Sequence, residues 1–128
     1  MTWYLDSSAL VKLVVRERES EALVAFVRDN GDDVLTSDLG RLELLRFAHR
    51  FGESATARRV VDSLSILRVT AEAWQRAGEI LPDSPLRSLD AVHVACLAVN
   101  PYLRGLVTYD ARMTAAAASL GYAVLSPA

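Results

Sequence analysis

The chain has 128 residues, 52% of them hydrophobic, a formal net charge of -2 at pH 7 and one cysteine. This size predicts one domain over residues 1–128, and it leaves little room for a second core. The near-neutral charge argues against an acidic tail or a basic nucleic-acid arm. The single Cys96 excludes an intrachain disulfide and a cysteine-rich zinc site.

The start of the chain and its hydropathy predict a cytoplasmic protein. Residues 1–6 show no basic segment followed by an apolar run and a cleavage site, so no secretory signal is expected. No stretch is long and apolar enough to span a bilayer. A lone thiol also suits a reducing compartment.

The periodicity of apolar residues predicts strands that alternate with helices. The first half reads as a strand at 2–5, a helix from Ser7 through Val15, a helix at 20–29, a strand at 34–37, a helix from Ser37 or Asp38 to Gly52 and a helix at 55–64. The second half reads as a strand at 66–69, a helix capped by Thr70 and ended by Pro82, a helix at 89–99 capped by Ser88, a strand at 105–109, a helix at 111–120 and a strand at 122–125. This alternation predicts an α/β fold, a three-layer α/β/α sandwich with a mainly parallel central sheet.

Asp6 and Asp110 each follow a predicted strand and precede a predicted helix. In an open parallel sheet, groups beyond the carboxyl ends of the strands line the ligand crevice. A helix-capping role would explain either residue without any chemistry, and for Asp6 taken alone the two explanations have equal weight. Because the arrangement occurs twice, a shared site gains weight.

Glu43 lies one turn before Phe47 and two turns before Phe51, on or beside the stripe that should face the core. A carboxylate there costs free energy unless it is paired or bound to a cation. Arg46 or Arg50 could pair with it, but both are expected on the polar side of the helix. We therefore favour a bound cation.

Asp90 stands in the first turn of an otherwise apolar helix. The helix dipole alone favours a negative charge there, by roughly 0.3–1 kcal/mol. The apolar sequence that follows indicates instead a helix end that opens into a cleft between layers. His93, one turn later, could bind a metal, but with one carboxylate partner it is more often a hydrogen-bonded structural histidine, so the predicted metal set omits it.

Four carboxylates in one crevice would repel one another strongly without a cation. An all-oxygen cluster suits Mg²⁺ or Mn²⁺. Such ions polarise phosphate and lower the pKa of an attacking water, so the expected reaction is phosphodiester hydrolysis. No Ser-His-Asp set, Walker loop or dinucleotide glycine motif competes. Spacing alone does not prove that Asp6, Glu43, Asp90 and Asp110 converge.

Four segments that span nearly the whole chain carry these acids, namely YLDSSALVK at 4–12, LEL at 42–44, LDAVHVA at 89–95 and VTYD at 107–110. Their order and spacing resemble the PIN-domain family, and its VapC-type toxins in particular. The resemblance implies a PIN-like fold and a Mg²⁺- or Mn²⁺-dependent endoribonuclease that cuts structured RNA, often tRNA or rRNA. Asp6, Glu43 and Asp90 match the family's firmest metal-binding acids, and Asp110 matches a fourth position that varies more.

Three further residues match polar positions beside that site. Ser7 and Thr108 are candidate water or phosphate contacts, although a capping hydroxyl and a strand threonine are equally good explanations. Arg112 could neutralise substrate phosphate from beside Asp110, and a solvated arginine in a first helical turn explains it too.

The resemblance also implies partners. A VapB-type antitoxin, a small DNA-binding protein, would lie along the toxin and block the metal site with an arginine. Candidate groove residues are apolar residues of the first two helices, including Leu13, Val14, Leu23 and Phe26, and most of these four must still belong to the core. A homodimer is usual in the family. If RNA contacts both subunits, binding of a polyanion by a mildly acidic chain is easier to explain. No membrane partner is expected.

Other protein classes compete with this interpretation. A phosphatase of the haloacid dehalogenase type needs a second aspartate two residues after the first, where this chain has Ser8. A receiver domain needs an acid pair before its accepting aspartate and a late lysine, but Lys12 is the only lysine. The remaining alternative is a catalytically silent module that uses the fold only to hold a partner, and four intact acids count against it.

Overall fold

A five-stranded parallel sheet forms the centre of the computed structural model, which describes residues 2–128. Its strands are β1 (Thr2–Leu5), β2 (Val34–Ser37), β3 (Ser65–Leu67), β4 (Leu103–Val107) and β5 (Ala123–Leu125). They lie in the order β3-β2-β1-β4-β5, and each neighbouring pair is parallel. Since parallel strands end at the same edge of a sheet, the residues after β1 and β4 are brought side by side at its centre.

Seven helices connect these strands within residues 2–128. They are α1 (Ser7–Lys12), α2 (Ser20–Asn30), α3 (Asp38–Arg50), α4 (Ser54–Ser63), α5 (Ala71–Ala77), α6 (Ser88–Val99) and α7 (Ala111–Ser119). A short 3-10 helix, Gly31–Asp33, leads from α2 into β2. None of the helices in this part of the chain is long and apolar enough to cross a membrane.

The sheet separates two apolar cores, because successive strand residues point to opposite faces. Trp3 and Leu5 of β1 pack with residues of α1, α2 and α4, including Leu10, Leu23 and Val61. Tyr4 points the other way and packs with residues of α5, α6 and α7, including Ala73, Val94 and Met113. This arrangement confirms the predicted three-layer α/β/α sandwich.

Several predicted boundaries are wrong by a few residues. Strand β4 begins at Leu103, which pairs with Thr2 of β1, and it ends before Thr108. Helix α1 ends at Lys12, earlier than predicted, and the chain then turns through Val14.

Two more boundaries differ in the α5–α6 region. Helix α5 ends at Ala77, well before Pro82, and Leu81 adopts a positive φ of 47° in the turn that follows. Helix α6 is preceded by Arg87 in an extended conformation, so Ser88 is its first helical residue instead of its cap.

Candidate active site

Asp6 is a buried carboxylate at the carboxyl end of β1, with only 3% of its surface exposed. Its Oδ1 accepts hydrogen bonds from the Ala9 amide at 3.1 Å and the Ser8 hydroxyl at 2.7 Å, and its Oδ2 accepts one from the Thr108 hydroxyl. These donors are neutral, and within residues 2–128 no lysine or arginine pairs with Asp6. Burial raises the pKa of Asp6, and the hydrogen bonds offset that rise only in part. The predicted capping role is present, but it occupies Oδ1 alone.

Thr108 connects Asp6 to Asp110 across the β1–β4 pair. It is fully buried, and its Oγ1, which donates to Asp6, accepts from the Asp110 amide at 3.1 Å. Asp110 in turn caps α7, since its Oδ1 accepts from the amides of Arg112 and Met113 at 2.8 and 3.0 Å. The Arg112 side chain is exposed and forms no ion pair within the described residues. Only its backbone contacts Asp110.

Glu43 is held by Ser7 and His93. The Ser7 hydroxyl and His93 Nε2 both lie 2.6 Å from Glu43 Oε1. Burial opposes ionisation, but these two hydrogen bonds outweigh it and keep the pKa of Glu43 below its ordinary value. Its other oxygen, Oε2, has no hydrogen-bond partner among residues 2–128. The alternative partners Arg46 and Arg50 form no salt bridge with it.

A glycine permits the close approach of α3 to the strand ends. A Cβ atom at Gly40 would come 2.2 Å from Thr36 Oγ1 and 3.2 Å from Leu10 Cδ1. The Gly40 amide also donates to the Ser37 hydroxyl that caps this helix, at 3.1 Å. The first turn of α3 is therefore fixed against the sheet, and Glu43 follows one turn later.

His93 contacts a candidate ligand, although the sequence prediction left it out of the site. It is 1% exposed and, as expected, forms a hydrogen bond with one carboxylate, but that carboxylate is Glu43. Its Nδ1 lies 2.6 Å from the Tyr4 hydroxyl, which is also 2.7 Å from Ser37 Oγ. Because an ionised carboxylate only accepts, Nε2 carries the proton. The sequence could have indicated His93, because it is a histidine in an apolar segment, one helical turn after the candidate acid Asp90.

Asp90 reaches the same region from the start of α6. Its Oδ2 lies 3.4 Å from Nε of the exposed Arg87, an ion pair of small energetic value. Asp90, Arg87 and Glu43 line one cleft of about 370 Å³. Since Asp90 precedes His93 by one helical turn, both residues of α6 lie close to Glu43.

The four acids thus lie in one region of the molecule but do not form a closed ligand cage. Ser7, the residue that follows Asp6, donates to Glu43; Thr108 connects Asp6 to Asp110 by hydrogen bonds; and Glu43 and Asp90 line the same cleft. Among residues 2–128, no three His, Cys, Asp or Glu side chains are gathered closely enough to hold a metal ion in this side-chain arrangement.

Comparisons with known proteins identify the family. The PIN domain model matches residues 3–119. This chain belongs to the PIN-domain family. Ribonuclease VapC46 of Mycobacterium tuberculosis is 46% identical over 129 residues, which cover 97% of this chain and 96% of that protein. Ribonuclease VapC47 of the same species is 38% identical over 131 residues, with the same coverage. The predicted resemblance to VapC-type PIN domains is confirmed.

Solved PIN-domain structures show the same fold at low sequence identity. M. tuberculosis VapC20, a sarcin-ricin loop cleaving toxin, superposes with a TM-score of 0.78 at 16% identity, covering 98% of this chain and 100% of that chain. DNA-bound VapBC from Salmonella typhimurium gives a TM-score of 0.78 at 17% identity, with coverages of 98% and 97%.

The donors at this PIN-domain site fit a hard divalent cation. All four predicted ligands are carboxylates, which suit Mg²⁺ or Mn²⁺ better than Zn²⁺. Asp6 is a buried carboxylate without a cationic side chain beside it, and Glu43 keeps Oε2 unbonded. Both features are those expected of groups that a cation would complete.

A separate apolar groove lies between α1, α2 and α4. It measures about 260 Å³ and is lined by Leu13, Val24, Val27, Arg28, Val60, Ser63 and Leu64. Of the predicted groove residues, Leu13 lines it, but Leu23 is fully buried and Phe26 packs edge-on against Trp3. Val14 also packs against the core. Leu23, Phe26 and Val14 are therefore core residues, as was expected of most of the four candidates, and Leu13 is the one that lines the groove.

Proposed function

We propose that this chain is a Mg²⁺- or Mn²⁺-dependent endoribonuclease, the toxin of a VapBC-type pair. The observation that carries the proposal is Asp6, a buried carboxylate with neutral donors on both oxygens, adjacent to the Ser7 that binds Glu43. A buried ion with no opposite charge is unfavourable by several kcal/mol in general. A resident divalent cation removes that cost.

In this proposal Asp6, Glu43 and Asp90 hold the cation, and Asp110 contacts it less directly. When bound, the cation supplies Lewis-acid polarisation of the phosphate and a water with a lowered pKa. Ser8 and Thr108 fix the orientation of the Asp6 carboxylate by their hydrogen bonds. His93 fixes Glu43 through Oε1, and Glu43 itself lines the cleft that contains Asp90.

RNA is the proposed substrate because curated relatives at 38–46% identity are named ribonucleases. VapC20, a structural neighbour, is described as cleaving the sarcin-ricin loop. A structured target such as rRNA or tRNA fits both observations. Ser7 and Arg112 are the proposed contacts to water or phosphate at the edge of the site.

The proposed partners are a VapB-type antitoxin and a second copy of the chain. Structural neighbours include VapBC complexes from Salmonella typhimurium and Rickettsia felis. The groove between α1, α2 and α4 offers an apolar surface for an amphipathic antitoxin segment. A homodimer would place two sites along one RNA.

The direct experiment is RNA cleavage by the purified chain with Mg²⁺, with Mn²⁺ and with excess chelator. We expect cleavage with either ion and none in chelator, with activity restored when the ion is added back. Undiminished cleavage in chelator, or in Asp6→Ala, would contradict the mechanism. No cleavage of any cellular RNA would favour the silent binding module.

Replacing His93 tests whether it positions Glu43. We expect His93→Ala to lower kcat by about 10- to 100-fold, the usual effect of removing a group that orients a metal ligand. The half-saturating metal concentration should rise, and Tyr4→Phe should shift it less in the same direction. A purely structural role predicts a lower Tm with an unchanged metal requirement.

Asp110→Asn should have the weakest effect among the four acids. Asparagine caps helices as well as aspartate does, so α7 keeps its bonds to the Arg112 and Met113 amides. We expect an unchanged Tm and a loss of kcat/KM below about 10-fold, which is the lower end of the range for groups that do not bind the metal directly. A loss equal to that of Asp90→Asn would make Asp110 a full ligand.

A further inference from the structure

We infer that the surface at the C-terminal end of α3, formed by the exposed Arg46, Arg50 and Phe51 and the half-buried Phe47 and here called the α3 platform, binds an unpaired stretch of RNA beside the cleaved bond. The inference rests on the proposed ribonuclease function and names the form of substrate that the site accepts. Its chemistry is base stacking on the phenylalanines and phosphate neutralisation by the arginines.

The aromatic part of the platform is a preformed pair of rings. The centroids of Phe47 and Phe51 lie 4.6 Å apart at an interplanar angle of 33°. Phe51 is 57% exposed, although the sequence pattern predicted it to face the core. Its ring is one helical turn from Phe47, so the pair packs on itself and leaves ring surface open to solvent. Proteins that bind unpaired nucleotides stack bases on such rings.

The platform also carries unneutralised positive charge. Arg46 and Arg50 are exposed, and within residues 2–128 neither forms a salt bridge. The Arg50 guanidinium lies 6.0 Å from the centre of the Phe47 ring. Bases and phosphates alternate along a nucleic-acid strand, and this surface offers rings and guanidinium groups next to one another. Although the chain has a net charge of -2, these two arginines make the platform locally complementary to a polyanion.

The platform is continuous with the candidate active site. Glu43, Arg46, Phe47 and Arg50 line one groove of about 500 Å³, and Glu43 also lines the cleft that contains Asp90. These residues follow the spacing of one helix face. Arg50 lies seven residues from Glu43, roughly 10 Å along the helix axis. A strand bound at Glu43 therefore has its neighbouring nucleotides over the platform.

These features favour RNA over a protein segment as the occupant. An apolar protein helix would leave Arg46 and Arg50 without partners, and the apolar groove at α1, α2 and α4 is a separate surface. Stacking requires an unpaired base, because the bases of a duplex already stack on one another. The platform therefore predicts a preference for loops and single strands.

Equilibrium binding in chelator tests the inference without cleavage, so its failure can be told apart from failure of the nuclease proposal. The probe is a labelled single-stranded RNA oligonucleotide, compared with its duplex and with a version that carries abasic sites. We expect Phe51→Ala to weaken single-strand binding by about 5- to 100-fold, the range for loss of one stacked base. The control Tyr102→Ala removes an aromatic side chain of similar exposure, 51%, from the loop that leads into the opposite end of β4.

Two further measurements make the test specific. Abasic sites should weaken binding to the wild type but not to Phe51→Ala. The double variant Arg46→Gln/Arg50→Gln should reduce the slope of log affinity against log salt by about 1.4, which corresponds to two phosphate contacts on a single strand. Unchanged RNA affinity in both sets of variants, or an equal loss in Tyr102→Ala, would overturn the inference. Loss of a protein partner with RNA binding intact would show the platform to be a protein interface instead.

Discussion

Asp6→Asn should abolish RNA cleavage and at the same time stabilise the fold. Cleavage should fall by more than about 100-fold, because removing a group that only orients a metal ligand already lowers activity by about 10- to 100-fold. The asparagine keeps Oδ1 to cap α1 through the Ala9 amide, and it removes a buried charge. We expect Tm to rise by a few degrees, since about 1 kcal/mol shifts Tm by roughly 3–5 °C in a domain of this size.

The pH dependence of stability isolates this effect. Because the pKa of Asp6 is raised in the folded state, the folded protein binds the proton more tightly than the unfolded chain. The free energy of unfolding therefore decreases as pH rises from the ordinary value near 3.8 through the folded pKa. Asp6→Asn should lack this decrease when melted in chelator. A variant that unfolds at ordinary temperature would make Asp6 structural.

Glu43→Gln should also abolish cleavage, but it should lower the stability of the fold, whereas Asp6→Asn should raise it. The pKa of Glu43 is lowered, so its ionised form is stabilised by folding. That stability is present above the unfolded pKa near 4.5 and is lost as pH falls through the folded pKa. Glutamine still accepts from Ser7 and His93, but without a charge, so Tm at neutral pH should fall slightly. Paired melting curves and cleavage rates measure both effects.

The contrast between the two variants separates ligands from structural acids. If both lose activity while one gains and the other loses stability, the loss of cleavage cannot result from unfolding. Asp90→Asn should lose activity with little change in Tm, since its Arg87 partner is exposed. If Glu43→Gln retained activity, Glu43 would be only a structural hydrogen-bond partner of His93.

Much of the fold could be predicted from local pattern. Strand β1 and the helix that follows Asp6 are encoded by adjacent residues, and the alternation of strands with helices indicates parallel pairing. The strand order could not be predicted, because it depends on contacts such as Trp3 with Gly105 that are distant in sequence. The order decides that Thr108 lies beside Asp6, and therefore that two predicted strand ends form one site.

The environment of individual side chains was harder to predict than the acids themselves. A helical stripe defines the buried direction only within a wide arc, so Phe51 was expected to face the core and lies exposed, whereas Leu23, expected in a buried stripe, is fully buried. His93 gave no periodic signal, because nearly every neighbour in α6 is buried. Its partners Tyr4 and Glu43 lie on other elements, out of reach of local reasoning.

Metal binding in the absence of RNA tests the central claim most directly. Mn²⁺ and Mg²⁺ should raise the Tm of the wild type with increasing concentration, because a ligand that binds only the folded state stabilises it. The effect should vanish in Asp6→Asn and Glu43→Gln and persist in Asp62→Asn, which changes an exposed acid on α4. A wild type whose Tm does not respond to either ion, or an equal response in Asp6→Asn, would contradict a metal site at these acids.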